Sequence, residues 1–518
     1  MARINSNVPS LVAQANLART NQSLESTLGR LSTGLRISRG ADDPAGLIVS
    51  ERLRSNIRGI EQGIRNSERA SNVIATTEGA LTEVSELLNS IKALVVESAN
   101  TGAFSREEIE ANQLQIDSAI DSITRISNTA SFGELQLLNG SLAYSLSNVA
   151  AADLNKVQVF GAAFGNRASI DVDVEILGSA QTANLFFRTD FADQGIGGAT
   201  NGQLVSSVTL EVAGPQGVIE LTFISGAANS DIINAINARS SITGVTATSG
   251  GTDEGSPASG IVLSSEQYGS EAFVSVTRLS GGESLISGRI ANNGPGPIDW
   301  LGGGANSVAA DEDEGKDVLV LLNGAVATGR GLQVNSRNPD LDLSVLLDET
   351  FATTEGSTST FQITGGGSLY QLGPNVTPNQ QVNIGMFSIA ATRLGATLNP
   401  QTDGSLSMEF LSTLKSGGAN EMVSGNLANA SRVLETAIEE ISSLRGRLGS
   451  FERNTLDTNI RSLQASLENI TASESVIRDA DFAFETAELS RLQVLQAAGT
   501  SVLATANQNP QQVLQLLG

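Results

Sequence analysis

The densest concentration of potential chemistry in this 518-residue chain is a carboxylate run, Asp311-Glu312-Asp313-Glu314-Gly315. Carboxylates at short spacing can ligate calcium or act as a general acid and base. An EF-hand calcium loop needs alternate ligands, Gly at its sixth position and Glu at its twelfth. Lys316 and Leu322 occupy those places here, so the run reads as a solvated acidic turn. Glycoside hydrolysis needs only two carboxyl groups at a set separation. No pair among the 55 Asp and Glu residues stands out for it. The triplets Gly302-Gly303-Gly304 and Gly365-Gly366-Gly367 lack the Lys-Ser/Thr that completes a phosphate loop, and they read as turns. Trp300 is the single tryptophan available to stack on a sugar.

Absences exclude more. The chain has no histidine and no cysteine. That removes the Ser-His-Asp triad, imidazole general bases, thiol nucleophiles, disulfides and every His- or Cys-ligated metal site. No catalytic, cofactor-binding or metal-binding residue is expected. The 31 basic and 55 acidic residues give a net charge of −24. Such a chain lacks the basic surface that releases counterions from nucleic acid, and anionic membranes repel it. Residues 1–9 show no basic stretch leading into an apolar one, so no cleavable signal peptide is expected. No apolar run reaches the ~18–20 residues of a membrane span.

The elements around these residues divide the chain in three. Residues 146–405 hold 36 of the 53 glycines, 8 of the 11 prolines and a net charge of −16, so they read as strands and turns. Both flanks are rich in Leu, Ile, Ala, Ser and Asn at heptad spacing. Leu17, Leu24 and Leu31 stand seven apart, with Leu28 and Leu35 on an adjoining line. Leu53, Ile60, Ser67, Ile74, Leu81, Leu88 and Val95 form a longer stripe beside Ile57 and Ile64, and Ile109, Ile116 and Ile123 a shorter one. Leu427, Leu434, Ile441 and Leu448 repeat the pattern, which resumes one residue late at Leu456, Leu463 and Ile470. An average spacing of 3.5 residues sustained this far predicts coiled-coil packing. The fold class is therefore α+β and multidomain: a helical rod of paired terminal segments with a β-rich outer insert.

Helix boundaries are legible too. Asp42-Asp43-Pro44 reads as a helix start, with an Asp cap and Pro in the first turn. Asn100-Thr101-Gly102 ends that helix, and Ser105 caps the next, with Glu107 and Glu108 in its first turn. Asp479 and Asp481 mark a later boundary. Residues 1–33 contain no aromatic residue, and residues 482–518 contain only Phe482 and Phe484. Helices so weakly apolar are marginal alone and need each other, or neighbouring copies, to bury a face.

Two signatures identify the sequence as resembling the bacterial flagellins. At the N-terminus they are Leu31-Ser32-Thr33-Gly34-Leu35-Arg36-Ile37 and Asp42-Asp43-Pro44-Ala45-Gly46. At the C-terminus they are Ile477-Arg478-Asp479-Ala480-Asp481-Phe482-Ala483, then Gln496-Ala497-Ala498-Gly499-Thr500-Ser501-Val502-Leu503-Ala504 and the ending Val513-Leu514-Gln515-Leu516-Leu517-Gly518. Residues 208–247 further resemble the short IN module of flagellins and hook-associated proteins.

The resemblance implies a subunit that polymerises into the helical filament used for swimming, extracellular and exported without a cleavable signal peptide. It implies terminal helices of an inner core at 1–45 with 476–518, an outer-tube rod at 46–145 with 406–475, and a variable surface region of one or two domains at 146–405. Implied partners are further copies of the chain, hook-junction and cap proteins, and an export chaperone. Self-assembly is expected from Leu17, Leu24, Leu28 and Leu31, with Leu489, Leu492, Leu495, Val502, Leu516 and Leu517. The alternative role of each is to hold the subunit's own two ends together. Leu94-Val95-Val96-Glu97-Ser98-Ala99-Asn100 resembles a rod segment that an animal immune receptor recognises in some flagellins. Leu94 matches that motif, but Ser90 and Gln115 stand where those flagellins carry Arg and Glu. Losing the guanidinium removes a five-donor anchor, so an ordinary helix face is the competing reading. Two other functions stay open: a hook–filament junction protein, and a secreted adhesin with flagellin-like ends.

Overall fold

The structure is a computed structural model. It describes residues 7–517 except 101, 166, 189–203, 205, 250–259, 282–285, 291–306, 339, 401–405 and 424–426. Trp300 and Gly302-Gly303-Gly304 lie outside the described residues. Nine α-helices occur among the described residues: α1 (Val8–Thr33), α2 (Pro44–Ser98), α3 (Arg106–Thr129), α4 (Asn229–Asn237), α5 (Ser240–Thr243), α6 (Glu349–Thr353), α7 (Leu427–Phe451), α8 (Asp457–Arg478) and α9 (Phe482–Leu517). The chain divides into two compact units, with the boundary inside α2. The first comprises Met1–Ser71, Gln371–Gln381 and Arg453–Gly518, and the second Asn72–Tyr370 and Val382–Glu452.

The expected helix boundaries follow from the side chains present. Asp43 caps α2 by accepting the Gly46 N–H at 2.9 Å, with Pro44 next, where a missing N–H costs nothing. Gly46 leaves room for the cap itself, because a Cβ there would displace the Asp43 carboxylate and the Cδ1 of buried Ile37 at 2.7 Å. Ser105 and Glu108 form a reciprocal capping box on α3. The Ser105 N–H, then its hydroxyl, hold the Glu108 carboxyl below its ordinary value. Asp479 closes α8, and Asp481 opens α9 by accepting the N–H groups of Ala483 and Phe484 at 2.9 and 3.1 Å.

The heptad stripes are buried along much of α2, α3 and α7, while Leu463 and Ile470 on α8 are half-buried. Ile60, Ser67, Ile74, Leu81, Leu88 and Val95 are buried along α2, Ile116, Ile120 and Ile123 along α3, and Ala430, Leu434, Ala437, Ile441, Leu444 and Leu448 along α7. The one-residue delay between Leu448 and Leu456 has a physical form. Glu452–Leu456 is a π-helical turn, which absorbs an extra residue without rotating the following stripe off its face.

Among the described residues, the second unit carries three antiparallel sheets of four or more strands. The largest has eight strands in the order Tyr144–Ser147, Thr358–Gly366, Ile170–Gly178, Leu319–Leu322, Ala325–Arg330, Gln333–Arg337, Leu341–Leu347 and Leu154–Ala162. Ile170–Gly178 alternates strictly, with Val172, Val174 and Ile176 inward and Asp171, Asp173 and Glu175 in solvent. This sheet closes one hydrophobic core around Val320, Leu343 and Phe361. A second core, around Leu185, Leu210, Ile236 and Leu263, lies between a five-stranded sheet, a four-stranded sheet and α4. Residues 208–247 contribute Val208–Gly214, Gly217–Phe223, α4, α5 and the start of Val245–Ser249.

Two local expectations are corrected. The Asp311–Gly315 run is not a solvated turn. Glu312–Glu314 is a strand paired with Phe273–Gly281, and its alternation turns Asp313 inward. Burial pushes the Asp313 carboxyl up, while the Asn184 N–H at 2.8 Å and Arg289 at 3.7 Å pull it back. The segment grouped with the C-terminal rod on composition also starts differently. Leu406–Glu409 pairs with Thr397–Pro400 as a hairpin, Leu411–Leu414 is a short 3-10 turn, and the next helix among the described residues is α7.

Candidate assembly surface

In the first unit α1 and α9 run antiparallel along their lengths. Asn7 Nδ2 donates to the Ala506 carbonyl at 2.9 Å, and Ser10 Oγ donates to Asn507 Oδ1 at 2.7 Å. Farther along, Gln496 Nε2 donates to Asn21 Oδ1 at 2.9 Å, and Arg30 meets Glu485 at 3.2 Å. Beyond α1 the chain stays in register. Leu35 forms an antiparallel bridge with Asp479, the Arg36 N–H donates to the Arg478 carbonyl at 2.7 Å, and the Ala480 N–H donates to the Gly34 carbonyl at 2.9 Å. Arg478 then reaches Glu51 at 2.9 Å and ties this crossing to the start of α2.

The seam of this pair is a heptad in which leucines alternate with small and polar residues. On α1 its covered positions are Ser10, Ala13, Leu17, Thr20, Leu24, Thr27 and Leu31, at alternating intervals of three and four. On α9 they are Glu485, Leu489, Leu492, Gln496, Gly499, Leu503 and Ala506. Gly499 permits the closest approach, since a Cβ there would sit 3.3 Å from Leu17 Cδ1. Glu485 is 3 % exposed, and its Oε2 has no hydrogen-bond partner among the described residues. A half-satisfied buried ion pair adds little stability but penalises a slipped register.

The residues expected to drive assembly separate into two groups. Leu17, Leu24, Leu31, Leu489 and Leu492 lie in the seam and join the subunit's own ends. Leu28, expected on a buried line beside them, is 49 % exposed, because the second seam line runs through Ala13, Thr20 and Thr27 instead. Leu495 and Val502 face outward, 43 % and 58 % exposed. The side chains of Leu516 and Leu517 lie outside the described residues. Sequence reasoning missed Val8, Leu11 and Val12 on α1 and Val494 on α9, all exposed. Their signal is simple: they are the large apolar residues left over once the three–four seam is assigned. On α2 and α3, Ser90 and Gln115 are exposed and Leu94 is half-buried, next to buried Val95.

Large apolar side chains on both helices of a pair whose own seam is already filled can only be buried by another surface. Grouped residues of this kind mark an association site. No group of three or more Asp or Glu side chains among the described residues is arranged to hold a metal ion. No described helix is long and apolar enough to cross a membrane.

Comparison with known proteins matches three family descriptions. "Bacterial flagellin N-terminal helical region" matches residues 4–143, "Bacterial flagellin C-terminal helical region" residues 432–517, and "Flagellin hook IN motif" residues 207–267. Curated relatives align end to end. A flagellin of Salmonella typhimurium is 26 % identical over 549 residues, and one of Escherichia coli strain K12 is 29 % identical over 538. The B-type flagellin of Pseudomonas aeruginosa is 29 % identical over 569. Each alignment covers 99 % of both chains.

Proposed function

Since this chain belongs to the bacterial flagellin family, we propose that it is the structural subunit that polymerises into a helical flagellar filament for swimming. The observation that carries this reading is the outward apolar surface on α1 and α9, beside a seam already occupied by the subunit's own residues. Identical subunits joined through non-identical faces build an open helix when the rotation does not close. The reading is of a structural protein, not an enzyme.

In this proposal residues 1–45 and 476–518 form the inner core of the filament. Residues 46–145 and 406–475 form the tube around it, and 146–405 the surface. Leu28, Leu495 and Val502, with Val8, Leu11 and Val12, pack against neighbouring copies, while Leu17, Leu24, Leu31, Leu489 and Leu492 act within the subunit. Leu516 and Leu517 belong with the inter-copy contacts. Ser90, Leu94 and Gln115 belong to the tube's helix faces and not to a receptor site. Cap and hook-junction proteins meet the filament ends, a chaperone accompanies the terminal helices before assembly, and the chain leaves the cell without a cleaved signal peptide. The acidic surface region keeps filaments apart by like-charge repulsion.

The test is electron microscopy after salt-induced assembly of the full chain, beside a version lacking residues 482–518. Filaments from the first and none from the second support the reading. An unpolymerised full chain, even with filament seeds present, overturns it and favours a junction protein.

A further inference from the structure

Two Asn-Gly pairs lie among the described residues, Asn139-Gly140 and Asn323-Gly324, and the structure holds them differently. Asn201-Gly202 and Asn293-Gly294 lie outside the described residues. An asparagine before glycine can lose its side-chain amide without an enzyme. The next backbone nitrogen reaches the side-chain carbonyl carbon with no Cβ in the way. Asn139 and Asn323 are both exposed, so exposure does not separate them; their hydrogen bonds do.

Asn139 lies in the second unit, between the strands Leu135–Gln136 and Tyr144–Ser147. Its Oδ1 accepts the Ser141 N–H at 2.9 Å, which folds the side chain over the Gly140 peptide. Neither Asn139 Nδ2 nor the Gly140 N–H has a hydrogen-bond partner among the described residues. The turn is fixed on both sides: the Ile389 N–H donates to the Leu138 carbonyl at 3.1 Å, and the Met386 N–H to the Leu142 carbonyl at 3.0 Å. Nucleophile, electrophile and leaving group are thus held close, and none but the carbonyl oxygen is engaged. Asn323 is occupied at both side-chain atoms. Its Oδ1 accepts the Asp173 N–H at 2.8 Å, and its Nδ2 donates to the Asp171 carbonyl at 3.1 Å.

We propose that Asn139 is a self-modifying site that deamidates in the folded protein, while Asn323 resists. Solvent base takes the Gly140 amide proton, and the nitrogen forms a bond to Asn139 Cγ. The carbonyl electron pair moves onto Oδ1, where the Ser141 N–H meets the developing charge as an oxyanion donor does. Collapse breaks the Cγ–Nδ2 bond, and the nitrogen leaves as ammonia with a proton from water. A second water opens the cyclic imide to aspartate or its isomer. The subunit gains one negative charge at an exposed turn. In the aspartate product the carboxylate still accepts the Ser141 N–H, now as a charge-assisted bond. Asn323 must first give up two hydrogen bonds to the neighbouring strand before the same steps can begin.

Peptide mass spectrometry on the full, unassembled chain, sampled during incubation at mildly alkaline pH, tests this. Conversion at Asn139 should run about tenfold faster than at Asn323, the factor that two ordinary hydrogen bonds supply. In guanidinium chloride both bonding patterns are lost, and the two sites should convert at similar rates. Ser141→Pro removes the N–H at the first central position of the Gly140–Ala143 turn, a place that accepts proline, and should slow Asn139 about fivefold. Ser141→Ala keeps the N–H and should match the unaltered chain. Equal rates at the two sites in the folded chain, no conversion at Asn139, or an unchanged Asn139 rate in Ser141→Pro with Asn323 still protected would each overturn the proposal. The comparison of folded and denatured chain stands whether or not Ser141→Pro folds. Filament formation is a separate readout, so this inference and the assembly reading can fail independently.

Discussion

Leu492 and Leu495 sit three residues apart on α9, and substituting each by Ala should separate subunit folding from filament assembly. Leu492 is 4 % exposed in the seam, opposite the Leu24 region of α1. Leu→Ala in a packed interior costs about 2–5 kcal/mol. A two-helix seam relaxes more readily than a globular core, so about 2–3 kcal/mol is expected. That is large beside the stability of a lone helical pair, so α1 and α9 should lose amide-exchange protection in the free subunit. Leu495, 43 % exposed, has already buried half its surface. Removing it should barely change the free subunit. Burying the remainder against a neighbouring copy is worth about 1 kcal/mol, from a full-burial value of about 1.5–3. The critical concentration for polymerisation should then rise about fivefold. Hydrogen exchange on the monomer and sedimentation of assembled protein measure the two effects. If Leu495→Ala deprotects α1 and α9 yet leaves the critical concentration unchanged, the division into seam and outward surfaces is wrong.

Three further outcomes follow from single sites. Gly499→Ala gains up to about 1 kcal/mol of helix propensity against a 3.3 Å contact at the movable tip of Leu17, whereas β-branched Gly499→Val should cost about 1–3 kcal/mol. Thermal melts of the pair should rank Ala above Val, and equal melts would refute the close approach. Deleting Arg453 should convert the Glu452–Leu456 π-turn into ordinary α-helix and leave the stripe in phase. Deleting Ser442, within α7, should turn one side of its buried stripe into solvent and cost several kcal/mol, on the order of a core truncation. Similar melting temperatures for the two deletions would contradict this. Glu108, held below the ordinary glutamate value of 4.5 by the Ser105 N–H and hydroxyl, stabilises α3 fully above that value. Its contribution is lost as the pH falls through the lower folded value. An NMR titration placing Glu108 at or above 4.5 would remove the capping-box argument.

The helical frame was legible because the heptad leaves a mark at every turn. The stripe from Leu53 to Val95 reads as one line, and even the missing phase at Leu456 shows in the spacing, although its π-turn form does not. Capping residues such as Asp43, Ser105 and Asp481 act on backbone within three positions, so local sequence sufficed for them. The seam of α1 and α9 was only half legible. Its leucines announce themselves, but Ser10, Thr27 and Gly499 look like surface residues until a partner helix 450 or more positions away defines which side is covered. The side that Leu28 takes is illegible for the same reason: an apolar residue at i+4 from a seam leucine is compatible with either side. The inward turn of Asp313 is illegible in the sequence, because an acidic run says nothing about alternation without the neighbouring strand that pairs with it.

The composition of this seam bears on how folding and assembly are coupled. Ser10, Ala13, Thr27, Gly499 and Ala506 bring little apolar area to the interior of the pair, and Glu485 carries an unsatisfied carboxylate oxygen into it. Burial at about 25 cal/mol per Å² therefore yields far less here than along the leucine- and isoleucine-rich α2 stripe. Val8, Leu11, Val12, Val494, Leu495 and Val502 hold their apolar surface on the outside instead. Any contact that covers them binds the paired state and not the separated one, so it stabilises the pair by mass action. The free subunit then keeps its ends only marginally joined, and each addition to a filament both buries outward residues and consolidates the seam beneath them. Replacing Thr27 by Leu would strengthen the pair before assembly. On this argument it should raise the exchange protection of α1 in the monomer while leaving the outward contacts, and hence the critical concentration's dependence on Leu495, intact.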